Sequence, residues 1–467
     1  MPEERSSRIE YKWLAMTVVA VGTFMATLDA SIVNVSLPTI TSSLHTTLPV
    51  AEWVVAIYLL VITGLLLTLG RLADLIGRKP IYITGITIFT IGSGFCAFSP
   101  AIHWLIAWRG IQAIGAAMIM ANGPAILTDA FPSGERGKAM GYLGMVVASG
   151  LTAGPAIGGF LVGAAGWPSI FLINLPIGMI GIAFTRKVLR QGAGHWDRQF
   201  DIPGALLLLI SMSSLTLALS QGPERHWDSY IWMLLGAAAV EGMLFLIRER
   251  LAPHPMIELS LFRNRLFAFA NASAFINFIA TFSVMFLMPF YLSDVLGYPP
   301  ERMGLILTAV PITLAVVAPI SGSLSDRFGS RVLSSVGLLI TGAGLFMLSR
   351  LGAEVRLPYL VGSLATVGFG SAVFQSPNSS AIMGSAPPRM LGVAAGMLAT
   401  MRNLGMVTGV AVSGAVYTSR LIHSRTVLSP VEASVAAFRE AFLVAAVICA
   451  VGVVTSAVRG SGTGMPE

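Results

Sequence analysis

The decamer GRLADLIGRK, at residues 70–79, recurs in related form as GSLSDRFGSR at residues 322–331. The two decamers share their glycines, their acid and a basic residue at the same spacing. Each lies between two apolar runs and reads as a tight polar turn between helices. Two such copies in one chain of 467 residues indicate two homologous halves.

The composition indicates a membrane protein. Hydrophobic residues make up 55% of the chain and charged residues only 11%, and its mean hydropathy of +0.79 lies outside the range of soluble domains. Apolar runs of about 20 residues, the length that crosses a bilayer as helix, recur from Trp13 to Val458. The net charge of +7 fits basic cytoplasmic loops, so we expect no nucleic-acid partner.

Dividing the chain at its charged and Pro/Gly-rich breaks predicts 14 transmembrane helices. The spans fall at 13–39, 50–70, 80–98, 102–127, 138–163, 168–187, 201–220, 229–248, 266–293, 303–323, 332–350, 357–382, 390–417 and 436–458. With a cytoplasmic N-terminus, 20 of the 29 basic residues fall inside and seven outside, as the positive-inside rule requires. Both termini are therefore expected in the cytoplasm of a cell whose inner membrane holds the chain.

The repeat predicts three units in this all-α fold. Residues 1–190 form an N-terminal six-helix bundle and residues 263–467 a C-terminal one. The two helices within 191–262 have no counterpart in the repeat and look inserted. Proteins built from such repeats place a substrate path at the interface between them.

Six stretches together resemble the 14-span drug:proton antiporters of the major facilitator superfamily. The first decamer resembles motif A of that superfamily, and the resemblance extends over nearly the whole chain. The other five stretches are LDASIVNVSLP at 28–38, RGIQAIG at 109–115 (motif B), GLTAGPAIGG at 150–159 (motif C), FLINLPIG at 171–178 and FDIPG at 200–204. The resemblance implies export of drugs driven by a proton gradient, with no bound cofactor.

Asp29 and Arg109 are the candidate proton-coupling residues. Asp29 lies about 16 residues into a helix that starts inside and Arg109 about seven into one that starts outside, so both lie in the outer half of the membrane. Ionised groups in hydrocarbon cost at least about 3 kcal/mol and often mark a proton or substrate path. Arg109 has donors for both Asp29 and Gln112. The alternative is a purely structural Asp29–Arg109 ion pair.

Motif A is expected to act as a gate and motif C as a packing surface. The resemblance implies a cluster of Asp74, Arg78 and Asp129 that braces the halves; a plain solvated loop is the alternative. The full motif A set is Gly70, Asp74, Gly77, Arg78, Lys79 and Asp129. In motif C the glycines form a smooth helix face and the proline removes a backbone hydrogen bond. That set is Gly150, Gly154, Pro155, Gly158 and Gly159.

The substrate cavity is predicted from polar, aromatic and Met side chains on the inner faces of the helices. The alternative is packing, which is the more common role of a Met or Phe in a transmembrane helix. The candidates are Met25, Asn34, Trp53, Tyr58, Gln112, Asn122, Asn271, Asn277, Phe282, Phe286, Gln375, Asn378 and Arg402. Histidines form no ligand-like cluster, so no metal is expected.

Two kinds of exporter fit these features: one for amphipathic drugs and dyes, or one for a single antibiotic, metabolite or lipid. An enzyme or ATP-driven pump does not fit, because no GxxxxGK[ST] loop occurs and no hydrophilic stretch could house a catalytic domain. The expected partners are amphipathic small molecules, protons and the bilayer. The short external loops do not indicate a periplasmic adaptor, although related exporters use one.

Overall fold

Polar residues at the ends of the apolar runs start several helices. Asp201, Asp228 and Asn264 each accept a hydrogen bond from a backbone N–H in the first turn of the helix that follows. Ser429 and Glu432 form a reciprocal capping box at the start of the last helix. Such caps satisfy the first backbone N–H groups, which have no partner within the helix.

The computed structural model describes residues 2–132, 135–190, 201–252, 259–387 and 391–459, and these form α-helices with no strand. The first part of the chain contains α1 (Pro2–Ser43), α2 (Leu48–Ile76), α3 (Arg78–Ala97), α4 (Ile102–Ala130), α5 (Arg136–Ala165), α6 (Ser169–Leu172), α7 (Asn174–Val188), α8 (Ile202–Gln221) and α9 (Ser229–Leu251). The second part contains α10 (Arg265–Phe290), α11 (Pro300–Leu307), α12 (Ala309–Phe328), α13 (Ser330–Leu348), α14 (Leu357–Gly384), α15 (Leu391–Ser424) and α16 (Pro430–Val458).

Twelve helical segments of the described chain are long and apolar enough to cross a membrane. They coincide with 12 of the 14 predicted spans. The remaining two predictions correspond to α8, where the apolar segment Leu206–Gln221 is shorter, and to α15. The chain is thus an all-helical, multi-pass membrane protein.

Short connections make successive spans run in alternate directions. We call the end of the bundle where α1 passes to α2 the His45 end, after the residue in that turn, which has a positive φ of 48°. The opposite end, where α2 passes to α3, is the Gly77 end. Sites at different depths can then be placed along this axis.

The internal repeat appears in turns and helix crossings. The eighth residue of each decamer is a glycine, Gly77 or Gly329. These glycines join α2 to α3 and α12 to α13, with φ of 107° and 79°. A Cβ on Gly115 of α4 would lie 2.4 Å from the backbone nitrogen of Phe89 in α3. A Cβ on Gly370 of α14 would lie 2.3 Å from that of Thr341 in α13. These matching contacts support the two-bundle division, which stays a prediction.

Two seams join the first and second parts of the chain at the His45 end. In one, α5 packs on α11, where Gly159 meets Gly304 with their Cα atoms close enough that a Cβ on either would lie 3.0 Å from the other's Cα. In the other, α2 packs on α15, where Glu52 contacts Gly414. Both seams are closed in this structure.

Helices α8 and α9 form a hairpin on the outside of the bundle. α8 packs on α2 and α15, whereas α9 packs chiefly on α8 and only 17% of its apolar window is buried. Polar contacts hold the hairpin together: Ser211 donates to the Ala238 carbonyl at 2.8 Å and Ser214 donates to Glu241 at 3.0 Å. The Glu241 carboxylate therefore faces α8.

Candidate functional site

A buried ion pair joins Asp29 of α1 to Arg109 of α4. The exposed fractions of their side chains are 0% and 1%. Arg109 also donates through Nε to the Val54 carbonyl at 3.0 Å and through Nη1 to Gln112 Oε1 at 2.9 Å. Its guanidinium lies 4.0 Å from the centre of the Tyr58 ring. The predicted proximity of the two charged residues is thus present.

Two amides complete the hydrogen bonding of the Asp29 carboxylate. Gln112 Nε2 donates to Asp29 Oδ1 at 2.9 Å, and Asn174 Nδ2 of α7 donates to the same oxygen at 3.0 Å. Asn174 also donates to the Ser93 hydroxyl at 3.0 Å. Asn174 lies in one of the stretches that resemble the antiporter family, but the sequence analysis did not identify Asn174 or Ser93 as site residues. A polar side chain within an apolar helix was the available signal for Asn174.

The charge of the Asp29 carboxylate can be neutralised either by Arg109 or by a bound proton. A carboxylate that takes up a proton loses its charge and no longer balances the guanidinium, which must then find another partner. Arg109 has alternatives at hand in the Val54 carbonyl and the Tyr58 ring. The four helices that hold these groups are α1, α2, α4 and α7, so a change in protonation bears on the packing of the first bundle.

A cavity of about 30 Å³ lies beside this network, between the first and second parts of the chain. Tyr58 contacts both the cavity and Arg109. Three of the predicted cavity residues meet here: Tyr58, Phe282 and Arg402. The other lining residues are Ala26, Thr27, Ala30, Leu59, Ile62, Met120, Val147, Leu151, Asn403 and Met406. A space of this volume holds about one or two water molecules and no drug-sized ligand.

The remaining predicted cavity residues lie elsewhere or are engaged within their own helices. Trp53 donates to Ser220 at 3.3 Å beside a separate cavity at the His45 end. Met25 and Phe286 are fully buried in the core, and Gln375 is partly buried. The buried amides of Asn34, Asn122 and Asn271 each donate to the carbonyl four residues earlier, and Asn277 lies next to Ser371.

Asn378 has a structural partner. Its Oδ1 accepts a hydrogen bond of 2.9 Å from Arg459, which follows the last helix, and Ser334 accepts another from the same guanidinium at 3.3 Å. Burial and the nearby Arg331 charge lower the pKa of Arg459 to about 10. Asn378 therefore anchors the end of α16 at the Gly77 end.

Motif A forms part of the expected cluster. Arg78 forms an ion pair with Asp129 and donates to the Ala125 carbonyl at 2.7 Å, while Lys79 donates to the Arg186 carbonyl at 2.8 Å. Gly70 lies against Ala121 of α4. The side chain of Asp74 lies outside the part of the chain that the structure describes. A further ion pair at this end joins Lys12 to Glu135.

Motif C packs two helices at once. A Cβ on Gly150, Gly154 or Gly158 would lie 2.1 Å from Thr27, 1.8 Å from Ser31 or 2.7 Å from Ile32, all on α1. Gly159 and Pro155 instead face α11, where the Pro155 carbonyl lies against Gly304. The motif therefore joins α5 to its own bundle on one face and to the second part of the chain on the other.

Among the described residues, no group of three or more His, Cys, Asp and Glu side chains could hold a metal ion. The expected absence of a metal and of a cofactor stays a prediction.

Known proteins resemble the chain over most of its length. The model of the Major Facilitator Superfamily matches residues 19–251 and 270–460. The riboflavin transporter RibZ of Clostridioides difficile is 35% identical over 96% of this chain and 97% of its own length. The multidrug resistance protein Stp of Mycobacterium tuberculosis is 35% identical, over 87% of this chain and 76% of its own. The methylenomycin A resistance protein of Streptomyces coelicolor is 34% identical over 86% and 85%.

A solved structure shares the fold. A bacterial homologue of the lysosomal transporter Spinster, described as inward-facing and unoccupied, superposes with a TM-score of 0.70 at 14% identity and covers 96% of this chain and 97% of its own. Together with the buried ion pair and the internal repeat, these matches place the chain among transporters and not among enzymes. The chain belongs to the major facilitator superfamily.

Proposed function

We propose that the chain is a proton-coupled antiporter that exports amphipathic compounds by alternating access. The observation that carries the proposal is the buried Asp29–Arg109 pair, held by two amides beside a cavity that both parts of the chain line. Ionisable groups so deep in a membrane protein usually mark a proton or substrate path. Relatives named for multidrug and methylenomycin resistance support export.

The proposed topology has 14 spans with both termini in the cytoplasm. α8 and α15 supply the two spans beyond the 12 that length and hydropathy identify. The positive-inside rule then places the Gly77 end inside and the His45 end outside the cytoplasmic membrane. In this orientation the two closed seams, α5–α11 and α2–α15, shut the outer side.

Proton and substrate act on the same ion pair in this mechanism. Protonation of Asp29 from outside frees Arg109, whose guanidinium stacks on the Tyr58 ring that lines the cavity. A substrate that contacts Tyr58 from the cavity can in turn change the position of Arg109. The cavity must widen to admit a drug-sized molecule, so the two bundles have to move relative to each other.

Motif A takes the role of a cytoplasmic brace in this scheme. Arg78 and Asp129 join α3 to α4 at the Gly77 end. The remaining member, Asp74, is the residue proposed to reach α15 when the cytoplasmic side closes. In this scheme the proton gradient supplies the energy without a cofactor or nucleic acid, and the short loops of the sequence do not indicate an adaptor.

A second candidate is a carrier for one compound. RibZ, named as a riboflavin transporter, matches this chain over 97% of its length, more than the multidrug protein Stp at 76%. Arg402 lines the central cavity, and among the described residues its guanidinium has no ion-pair partner. A permanent positive charge there favours substrates with an anionic or acceptor group over lipophilic cations.

The test uses protein reconstituted in proteoliposomes with an imposed proton gradient. Ethidium and riboflavin, both fluorescent, serve as probes of the two candidates, and Asp29→Asn is compared with Glu440→Gln, whose carboxylate is 47% exposed and pairs with Arg420. We expect gradient-driven movement of a probe that a protonophore and Asp29→Asn abolish and Glu440→Gln preserves. Movement that survives Asp29→Asn would exclude this carboxylate from coupling. Movement of riboflavin alone would favour the second candidate.

A further inference from the structure

Glu52 is a buried carboxylate that the proposed mechanism does not use. It lies in the first turns of α2, near the His45 end, and is 1% exposed. Neither carboxylate oxygen has a hydrogen-bond partner among the described residues. A Cβ on Gly414 of α15 would lie 2.2 Å from Glu52 Oε2, so the carboxylate touches the partner helix directly. Glu52 is therefore a titratable group within the α2–α15 seam.

The neighbouring hydroxyl can satisfy an ionised Glu52 only in part. Ser220 of α8 lies within reach of the carboxylate, but its single proton is donated to the Pro49 carbonyl at 3.0 Å. Ser220 can therefore give Glu52 at most one hydrogen bond, and only by releasing Pro49. The Ser220 oxygen accepts a bond of 3.3 Å from Trp53 Nε1. Glu52 can donate a hydrogen bond to these groups only while its carboxyl group is protonated.

Among the described residues, the cations Arg109 and Arg225 near Glu52 are each paired with another acid. After α8, Glu224 adds a like charge, and Arg225 pairs with Asp228. On α1 and α4, Asp29 and Arg109 are paired with each other. From α15 and α10 the seam receives Gly414 and Phe286, which carry no charge. His45 and Asp294 line a different cavity at the same end.

Burial of Glu52 links the protonation of its carboxyl group to the closing of the α2–α15 seam. An ionised carboxylate that is buried without a partner costs several kcal/mol, whereas the neutral acid costs far less. The closed seam therefore favours neutral Glu52. A cavity of about 240 Å³, lined by Trp53, Ser220, Glu224 and Arg225 among others, lies next to it and can supply water.

We propose that Glu52 is a second proton-binding site, which holds the α2–α15 seam closed while protonated and opens it on ionisation. The O–H bond of the carboxyl breaks, the proton passes to water in the adjacent cavity, and the carboxylate becomes hydrated as α15 moves away. Release of this proton to the outside of the membrane rests on the orientation in the proposed function, whereas the existence of the proton-binding site does not.

Cysteine labelling tests the proposal without substrate or gradient. The two native cysteines are buried, so the unmodified chain gives the background. Val55 is one helical turn from Glu52 on the same face of α2 and is 2% exposed, so Val55→Cys reports opening of the seam. Val427→Cys, at a position that is 83% exposed near the same end, corrects for the pH dependence of the thiol reaction itself.

The measured quantity is the rate of reaction of Val55→Cys with a membrane-impermeant maleimide, divided by the rate for Val427→Cys, over a pH series. We expect this ratio to rise several-fold from mildly acidic to mildly alkaline pH. With Glu52→Gln added, the ratio should stay low at every pH. Glu52→Met, which is neutral and lacks the amide donors, should behave alike and serves if Glu52→Gln fails to fold.

A pH-dependent ratio that persists in both Glu52 variants would overturn the proposal and assign the response to another group, such as His45 or Asp294. A flat ratio in the unmodified background would overturn it as well. If labelling follows Glu52 but no probe moves in proteoliposomes, the proton site stands and the proposed transport activity fails. Labelling from right-side-out and inverted vesicles independently establishes which side the seam opens to.

Discussion

Gly159 of α5 and Gly304 of α11 meet backbone to backbone. A Cβ on Gly159 would lie 2.4 Å from the Pro300 carbonyl oxygen and 3.0 Å from the Gly304 Cα. Backbone atoms cannot swing aside as a side chain can, so any larger residue must part the helices. The α5–α11 seam therefore closes only because both positions are glycine.

Gly159→Ala should keep the α5–α11 seam from closing. Overpacking of this kind costs about 1–3 kcal/mol, which the chain can avoid by parting the two helices. We expect transport to fall by a large factor while thermal unfolding in detergent changes little. Gly144→Ala is the matched control, because it lies on the same helix with nothing within 4 Å of the added Cβ. Equal activity of the two variants would contradict the role of this seam.

Arg109→Gln should destabilise the first bundle more than the double variant Asp29→Asn/Arg109→Gln. The single change leaves the Asp29 carboxylate buried without its counter-charge, which costs about 3–5 kcal/mol, whereas the double change leaves no charge. Denaturation of the purified single and double variants measures the coupling. Strictly additive effects would show that the two charges do not depend on each other. We expect no gradient-driven transport in any of these variants.

Arg78→Ala should destabilise the Gly77 end more than Asp129→Asn. The ion pair is solvent-accessible, with exposed fractions of 28% and 68%, and such pairs contribute about 0–1 kcal/mol. Arg78 additionally bonds the Ala125 carbonyl, which Asp129→Asn leaves in place. Thermal unfolding at low and high salt separates the two effects, because only the ion pair is screened. A larger loss for Asp129→Asn would contradict this order.

Gly115→Ala and Gly370→Ala should each destabilise the chain by similar amounts. In both, the added Cβ would lie within 2.4 Å of a backbone nitrogen on the neighbouring helix. Gly362→Ala on α14, with open space around the Cβ, is the control. The measurement is the unfolding midpoint in one detergent. A change confined to one of the two glycines would contradict the equivalence of the crossings.

The sequence was sufficient for 12 of the 14 predicted spans and for the Asp29–Arg109–Gln112 contact. Hydropathy fixes where helices cross, and two rare charges at similar depth in neighbouring helices have few other partners. The repeat also predicted the paired turns at Gly77 and Gly329. In each case the deciding property belongs to a short stretch of residues, so no knowledge of distant contacts was needed.

The rest depended on how helices rotate about their axes. Asn174 reaches Asp29 across 145 residues, and Asn378 turns to Arg459, and no local pattern states either orientation. The cavity candidates failed to converge for the same reason, with only Tyr58, Phe282 and Arg402 meeting. Glu52 could have been noticed as a lone acid in an apolar run. Its lack of a partner emerges only once α15 is packed against it.

The Gly115 and Gly370 crossings have a mechanical consequence. Two helices in direct backbone contact cannot slide or roll past each other without a steric clash. The pair α3 and α4 and the pair α13 and α14 therefore each move as a rigid unit. If the helices within a bundle could bend or shift, the free energy of proton binding would be spent on that deformation and not on opening the transporter. Movement is therefore concentrated outside these rigid pairs, at the α5–α11 and α2–α15 seams of the His45 end, which open by parting and not by sliding.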